Sequence, residues 1–596
     1  MSRVVSVCYN GETSFRRQED DLHLKRSKRP DGRVHLSITE SFRDAQGKAR
    51  NRTVKTLGYL DELEQKWGPD ALARCEAIRD ELTDAHNKAV APVALELHMT
   101  QKVDKRSANR MCAGDAVAMA YYDALGIEKA LRNHLAGRKV AYDLNAVCRL
   151  LVSERLLAPG SKHAAWERAG RHFLRCDASE RDVYRALDEL AASRNRVIGA
   201  MNRAIAPSRE HDLACGYYDC TNFYFECDPD DFRKKGVSKE HRPNPIVQMG
   251  LLQDSSGIPV TYKLFGGNVG DSKTLIEALP DLKEAAGMQR VVIVADKGMN
   301  CSENIAAAVG KGDGFVFSQS VRGTKSTSEL RRWALSDEGY RLRGKDGFKS
   351  KSRQDVKVIH VTGSDGKTKD VPVEVKVVAF WSRKYANRAR HEREKVLEKS
   401  RQLVESPGKY TRATHYGAAQ YVQNVDFDPK TGEVVACAKK PEIDWEAVRA
   451  AEACDGYYCI VTSETNWDDG RIIDAYRELW RIEESFKITK TGLEGRPAFV
   501  RTREHLEAHF LTCYIALVVL RLIERALGKR YSALSILEDM RALGCSELEA
   551  NIWLFDHRTD LTDELFALIG EEAPRKYMRR SEVKALFGKG KQIRWR

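Results

Sequence analysis

No stretch of this 596-residue sequence approaches the roughly 18–20 apolar residues that a membrane span needs; the most apolar run, Phe510 to Leu520, is too short. Met1 to Arg17 carries no apolar segment of the secretory type. A membrane or exported protein is therefore not expected. Paired cysteines are missing as well. The 14 cysteines are dispersed, and none forms a Cys-x-x-Cys pair. In a chain this long, that pattern fits reduced, mostly buried thiols of a cytosolic protein and argues against a zinc knuckle or disulfide scaffold.

Charge is plentiful. Lys and Arg number 99 against 86 Asp and Glu, giving a formal net charge of +13, and 42% of residues are hydrophobic. At about 150 residues per domain, the length suggests about four domains. The basic excess permits a polyanionic partner, of which nucleic acid is the commonest. Spread over the whole chain, it also fits a plain solubility feature.

Local patterns divide the chain. His35 to Arg43 alternates, a basic loop Lys48 to Arg52 follows, and Thr53 to Tyr59 completes a hairpin, with a helix from Pro69 to Asn87 after it. From Ala108 to Ala206 the period is helical. Asp115 to Leu131 and Tyr142 to Leu157 show i, i+3, i+4 apolar spacing, Pro159-Gly160 breaks the second run, and Ser161 caps the next helix. Short helices with basic residues between them suit DNA docking, and a plain helical bundle equally. At Cys215 the period changes. Gly216 to Cys227, Ile246 to Gln253 and Ile258 to Phe265 read as strands, with a turn at Asp254 to Gly257. Lys273 to Ala286 reads as a helix, and Val291 to Ala295 as a strand buried on both faces. Glu303 to Val309 is helical and Gly314 to Ser318 another strand, so an α/β core with a mixed sheet is expected.

The rhythm then breaks. Val356 to Val361 and Val371 to Phe380 suggest a hairpin, Asn387 to Val404 a charged helix, and Val434 to Ala438 and Tyr457 to Thr462 further strands. Arg and Lys crowd the stretch from Arg322 to Arg353, which suggests a phosphate-tracking surface at Arg331, Arg332 and Arg343, or a solvated charged face. Arg471 to Lys490 reads as one amphipathic helix, Phe510 to Leu527 as a more apolar one, and Lys589 to Arg596 as a basic tail.

Three motifs fail. Gly363 to Thr368 ends like a phosphate loop, but Val361 stands where its first Gly belongs, so a hairpin turn is expected. His505 to His509 spaces two imidazoles at i, i+4, yet Leu506 replaces the Glu of a metalloprotease. Gly266-Gly267-Asn268 lacks dinucleotide spacing.

Three acids stand out by position. Asp219 lies mid-strand, where Asp is disfavoured. Asp296 ends a buried strand, where open α/β sheets bind ligands. Glu483 lies on the long amphipathic helix. By themselves they are three among 86 acids, and strand-end bonding or loop opening explains the aspartates as well. On a uniform helix at about 100° per residue, Tyr476, Glu483 and Lys490 fall within roughly 40° of one another, with position 479 on the same face; Lys487 is close and Glu484 is turned away.

Four local motifs occur in order: YYDCTNFYF around Asp219, KLFGGNVGDSKTL from Lys263, VADKGM around Asp296, and YRELWRIEESFKITK from Tyr476. Together they resemble the DDE transposases of bacterial insertion sequences, in the superfamily with a Tyr-x2-Arg-x3-Glu-x6-Lys pattern. The resemblance covers roughly 214–527, and VKTLGYLDEL from Val54 resembles the N-terminal segment of one branch. It implies an α/β fold with an RNase H-like mixed-sheet core at 213–320 and 466–530, interrupted by a β-rich basic insertion at 321–465. A small α+β module at 1–100 and a helical DNA-binding region at 101–212 would precede it, and a C-terminal helical region with a basic tail at 531–596 would follow. It also implies Asp219, Asp296 and Glu483 as catalytic ligands of two Mg²⁺ or Mn²⁺ ions, with Tyr476, Lys487 and Lys490 on the DNA. The implied partners are double-stranded DNA, both element ends and target, and a second copy in a synaptic homodimer, in the cytoplasm and on the nucleoid when bound. A non-cutting regulator and a host nuclease on the same fold are the alternatives.

Chemistry supports the acid set. Phosphodiester cleavage needs an activated water, a stabilised leaving oxygen and a neutralised phosphate, and two divalent ions supply all three. Mg²⁺ asks for a few carboxylates and keeps waters and phosphate oxygens as its other ligands. Two departures stand beside this. Leu479 occupies the family's Arg position and is expected in the core with Ile482 and Phe486. Tyr458 stands where relatives that form hairpin ends carry a base-stacking Trp, and is expected to be a structural strand residue.

Overall fold

The computed structural model describes residues 22–43, 49–90, 100, 102, 110–206, 215–236, 244–286, 290–322, 328–343, 347–362, 367–406, 417–424, 440–496, 498, 500–588 and 593. The Met1–Arg17 segment, the Gly363–Gly366 turn, the Val434–Ala438 strand and nearly all of the basic tail lie outside them. The chain forms two compact units, Met1–Thr100 and Gln101–Arg596.

The first unit is a three-stranded antiparallel meander, β1 (His23–Lys28), β2 (Val34–Arg43) and β3 (Ala49–Tyr59), followed by α1 (Leu60–Trp67) and α2 (Ala71–Val90). Leu36, Leu63, Ala71 and Cys75 form its core. Sequence alternation predicts β2 and β3 but not β1, whose mostly exposed HLKRSK carries too little apolar alternation to show.

The second unit opens with β4 (Met111–Cys112) and a helical group: α3 (Asp115–Ala124), α4 (Ile127–His134), α5 (Leu144–Leu157), α6 (Lys162–Glu167) and α7 (Glu180–Ile205). Gly126, at φ +71°, separates α3 from α4 where the apolar spacing alone suggests one helix. Asp143 caps α5, and Ser161 Oγ accepts the Ala164 N–H at 3.0 Å to cap α6, as the sequence predicts.

The central sheet follows: β5 (Cys215–Tyr224), β6 (Ile246–Gln253), β7 (Pro259–Gly266), α8 (Asp271–Ala286), β8 (Val292–Ala295), α9 (Ser302–Gly310) and β9 (Gly314–Gln319). Next come α10 (Ser328–Leu335), β10 (Arg341–Arg343), β11 (Phe348–Thr362), β12 (Thr368–Ser382), α11 (Arg383–Glu405), β13 (Val422–Gln423), β14 (Glu442–Ile443), α12 (Trp445–Glu452) and β15 (Tyr457–Thr462). Nine strands join in the order β10-β11-β12-β15-β9-β8-β5-β6-β7. β5, β8 and β9 are parallel; the remaining pairings are antiparallel. The strands between 321 and 465 that belong to this sheet thus extend its β9 edge.

Two cores sandwich the sheet. One face carries Tyr218, Cys220, Ile293 and Ala295 and packs with α8, α9 and α10. The other carries Tyr217, Phe223, Val292 and Val294. It receives α13 (Asp469–Arg477), α14 (Trp480–Lys487) and α15 (Arg503–Ala526). α15 is apolar enough over 18 residues to meet the length and composition of a membrane span, farther than the run Phe510 to Leu520 suggests. That window is 94% buried against the protein. α15 packs on α3, α5, α7 and β7, with Phe510 edge-on to Phe223 at 4.7 Å. Thr502 caps its first turn through the His505 N–H.

The C-terminal segment contains α16 (Ala533–Ala542), β16 (Gly544–Glu547), β17 (Ile552–Phe555), α17 (Asp560–Leu568), β18 (Tyr577–Arg579) and α18 (Arg580–Leu586). It is not helical alone: β18-β17-β16 pair with β4 as a small antiparallel sheet.

Candidate active site

β5 and β8 pair in parallel, with Tyr217 opposite Val294. Two residues further along each strand stand Asp219 and Asp296. Equal spacing places both on one sheet face, the face of Tyr217, Val294, α13 and α14, on strands about 4.8 Å apart. Backbone stays extended at Asp296 (φ −76°, ψ 170°), which preserves the alternation past the end of β8.

Asp296 is held in place. Its Oδ1 accepts the Ser318 hydroxyl at 2.9 Å, from β9, and the Tyr476 hydroxyl at 3.3 Å, from α13. Burial, then the Asp296 charge, pushes the Tyr476 phenol far above its ordinary value, so it remains a donor across the physiological range. Asp219 Oδ1 accepts the Cys220 N–H at 2.7 Å.

Glu483 is exposed on α14, whose Ile482 and Phe486 anchor it in the core beside β5. Glu484 is engaged elsewhere, paired with Arg521 at 2.9 Å. The single helix expected from Arg471 to Lys490 is a correction. α13 ends at Arg477, a turn occupies Glu478 and Leu479, α14 ends at Lys487, and a π turn spans Ile488–Gly492. Across the break the backbone bonds run i→i−3: Leu479 to Tyr476 at 3.1 Å, Arg481 to Glu478 at 3.1 Å, and Ile482 to Leu479 at 3.2 Å. Tightening to about three residues per turn brings Leu479 and Ile482 onto one buried side. Leu479 is 8% exposed and lies in the core. The uniform rotation assumed from Tyr476 to Lys490 is therefore not kept.

A cleft of about 300 Å³ opens at Asp296. Tyr476 and Ser318 form one side; Arg322, Tyr385, Arg388 and Tyr458 form another. Neither Asp219 nor Glu483 lines it. Among the described residues, no three His, Cys, Asp or Glu side chains gather closely enough to hold a metal ion. The aspartate pair offers hard oxygen donors suited to a divalent cation; the third carboxylate does not close the set in this conformation.

The other expected residues scatter. Lys487 is exposed; the Lys490 ammonium lies 5.5 Å from the Phe223 ring centre. Arg331 donates to the Val321 carbonyl at 3.1 Å, Arg332 to Ser328 at 3.4 Å, and Arg343 lies 3.9 Å from Asp469. None of these three lines the cleft. Much of the basic stretch is tied internally: Lys349 pairs with Asp337, Lys351 donates to the Ser336 and Glu338 carbonyls, and Arg353 pairs with Glu329 and Asp355. Tyr458 is a β15 residue as expected, 40% exposed, stacked on Phe380 at 5.6 Å and beside Tyr385 at 5.1 Å. The two spaced histidines diverge: His505 meets Asp188, while His509 is buried against Gly495 and Lys162.

Sequence reasoning missed Ser318, Tyr385 and Arg388; Arg322 opened the basic stretch but was not singled out within it. Ser318 had a signal, since it closes the strand Gly314 to Ser318 read from the sequence. Arg388 had none, being one cation in a highly charged helix.

Residues 226–519 match the transposase DDE domain, a stretch that contains Asp296 and Glu483 and begins just after Asp219. Residues 22–93 match the N-terminal domain of IS1634 family transposases. The two matches together span well over half of the chain, and the chain belongs to the DDE transposases of insertion sequences. No curated protein matches the sequence.

Proposed function

We propose that the protein binds the terminal inverted repeats of its insertion sequence, cuts DNA there and joins the cut ends to a target. The observation that carries this reading is the matched position of Asp219 and Asp296 on adjacent parallel strands, on the face covered by the helix bearing Glu483. The strand order β7-β6-β5-β8-β9, with three antiparallel strands followed by two parallel ones, supports an RNase H-like core.

Asp219 and Asp296, with Glu483 approaching from α14, would hold two Mg²⁺ or Mn²⁺ ions. Bound there, such ions activate water, stabilise the leaving oxygen and neutralise the phosphate. The protein's own groups do the positioning. Ser318 and Tyr476 fix Asp296 through Oδ1, leaving Oδ2 without a protein hydrogen bond among the described residues. Lys487, on the exposed face of α14 with Glu483, and Lys490, beside Phe223 of β5, would neutralise strand phosphates. Arg322, paired with Asp455, and Arg388, paired with Glu392, line the Asp296 cleft and would exchange these partners for phosphate. Helices α3–α7 and the cations Arg331, Arg332 and Arg343 are assigned to duplex contacts outside the chemistry, where phosphate contacts set register. A homodimer then brings two element ends together in the cytoplasm.

One observation favours a second reading, a DNA-binding regulator that does not cut: the three acids are not gathered. Flanking DNA separates the two. Imperfect inverted repeats around the reading frame, with short direct duplications outside them, support the transposase. A purified protein that binds such ends but leaves them intact in Mg²⁺ and in Mn²⁺ supports the regulator.

A further inference from the structure

α14 presents one exposed ridge. Trp480, Glu483 and Lys487 lie at i, i+3 and i+7, opposite the buried Ile482 and Phe486. The ridge is about 10 Å long. Lys487 stands at its C-terminal end. Trp480, 54% exposed, stands at the other, at the mouth of a cavity of about 280 Å³.

That cavity is rich in cations. Arg481, Arg521, Arg525, Lys529 and Arg530 line it, against Glu484 and Glu524. Some of this charge is spent. Arg521 pairs with Glu484 and Glu524, Arg481 with Glu478, and Arg530 with Glu564. Lys529 differs. Among the described residues its ammonium has no acidic partner and meets only the Ser256 carbonyl, at 3.4 Å. Partial burial, and next the nearby Arg481, lower its pKa, while Glu524 and Glu478 act more weakly in the opposite sense. An anion there would compensate the burial of the ammonium and its repulsion by Arg481.

An exposed indole and an ammonium without a direct acidic partner among the described residues, both lining one cavity, match the two faces of a nucleotide: a base stacks on the ring and a phosphate meets the cation. We propose that the Trp480–Lys529 cavity is a subsite for a single nucleotide of a DNA strand that runs along the α14 ridge past Glu483. The proposal rests on the DNA-cutting function above. It assigns to Trp480 and Lys529 the holding of the strand beyond the reacting phosphate. Arg525 and Arg530 deepen the positive field. Trp480 and Lys529 touch no reacting atom and so act on strand position alone.

Titration with a single-stranded mixed-sequence oligonucleotide of about 12 nucleotides, a length within the usual site size, tests this on the full chain. Tryptophan emission should fall on binding, and Trp480→Phe should remove most of that fall. Lys529→Gln should weaken binding several-fold and flatten the dependence of log K on log salt by about 0.7, the loss of one single-strand phosphate contact. Both side chains are exposed, so melting temperatures should match wild type. Equal quenching in Trp480→Phe, or an unchanged affinity and slope in Lys529→Gln, overturns the proposal. Cleavage of duplex carrying the element end is measured in parallel. Wild-type cutting with unaltered oligonucleotide binding in both variants sinks the subsite alone. Trp480-dependent quenching without any wild-type cutting sustains the subsite and sinks the function on which it rests.

Discussion

Leu479 decides what the turn between α13 and α14 is for. It is 8% exposed, packed with Ile482 and Phe486 over the sheet. Leu479→Arg removes a buried side chain of the kind whose truncation costs about 2–5 kcal/mol. The guanidinium escapes burial only by sending its stem outward, which strains the i→i−3 turn. A total of about 3–5 kcal/mol follows. With an unfolding entropy of about 2.1 cal/mol/K per residue over a unit of roughly 500 residues, each kcal/mol lowers the melting temperature by about 1 °C. Thermal melts followed by circular dichroism should therefore show Leu479→Arg melting about 3–5 °C below wild type. Lys487→Ala, on the exposed ridge, should melt with wild type. A Leu479→Arg protein that melts with wild type and binds DNA more tightly would show that position 479 faces the DNA and that the buried turn is misjudged.

Tyr476→Phe deletes one of the two donors to Asp296 Oδ1 and should lower single-turnover cleavage about tenfold with DNA binding intact; an unchanged rate removes Tyr476 from the site. Arg388→Ala should weaken binding of cleaved ends and reduce the salt slope by about 0.9, with no change in melting, and an unchanged slope removes Arg388 from the DNA. His172 lies buried between Asp115 at 2.9 Å and Glu154 at 2.8 Å; burial alone would lower its pKa, but the two carboxylates outweigh this and push it up to about 10. The folded pKa is the raised one, so this stabilisation is full below about pH 6.5 and is lost as pH rises through about 10. The melting difference between wild type and His172→Gln should shrink over that window, a comparison that cancels the opposite trend of Lys162, whose buried ammonium is lowered to about 7. A difference independent of pH would refute the charged bridge.

The strongly periodic elements were legible. β5, β6, β7 and β15 fall where alternation and aromatic content put them, because strands in a two-sided core leave continuous apolar runs. β11 and β12 are longer than their apolar portions, since their outer halves face solvent and carry charge. The α13–α14 break was hidden because it contains neither Pro nor Gly; what accompanies it is the burial of Leu479, and burial is a tertiary fact. Asp219 and Asp296 were legible as misfits, acids where strands prefer apolar side chains. The pairing that sets them side by side was not, because register between β5 and β8 depends on the crossover through β6, β7 and α8. Arg388 and Tyr385 reach the Asp296 cleft from a helix some ninety residues away in sequence, through the β12–β15 pairing, and no local pattern marks them.

The central claim is that Asp219, Asp296 and Glu483 act as one metal-dependent site. Single-turnover cleavage of duplex carrying the element end, in Mg²⁺ and again in Mn²⁺, tests it directly on Asp219→Ala, Asp296→Ala and Glu483→Gln, with end binding measured by gel shift beside it. Each variant should lose cleavage in both ions while binding stays within a few-fold of wild type, because duplex affinity rests on phosphate contacts elsewhere. Near-wild-type cutting by any one of the three would contradict the account and remove that residue from the site.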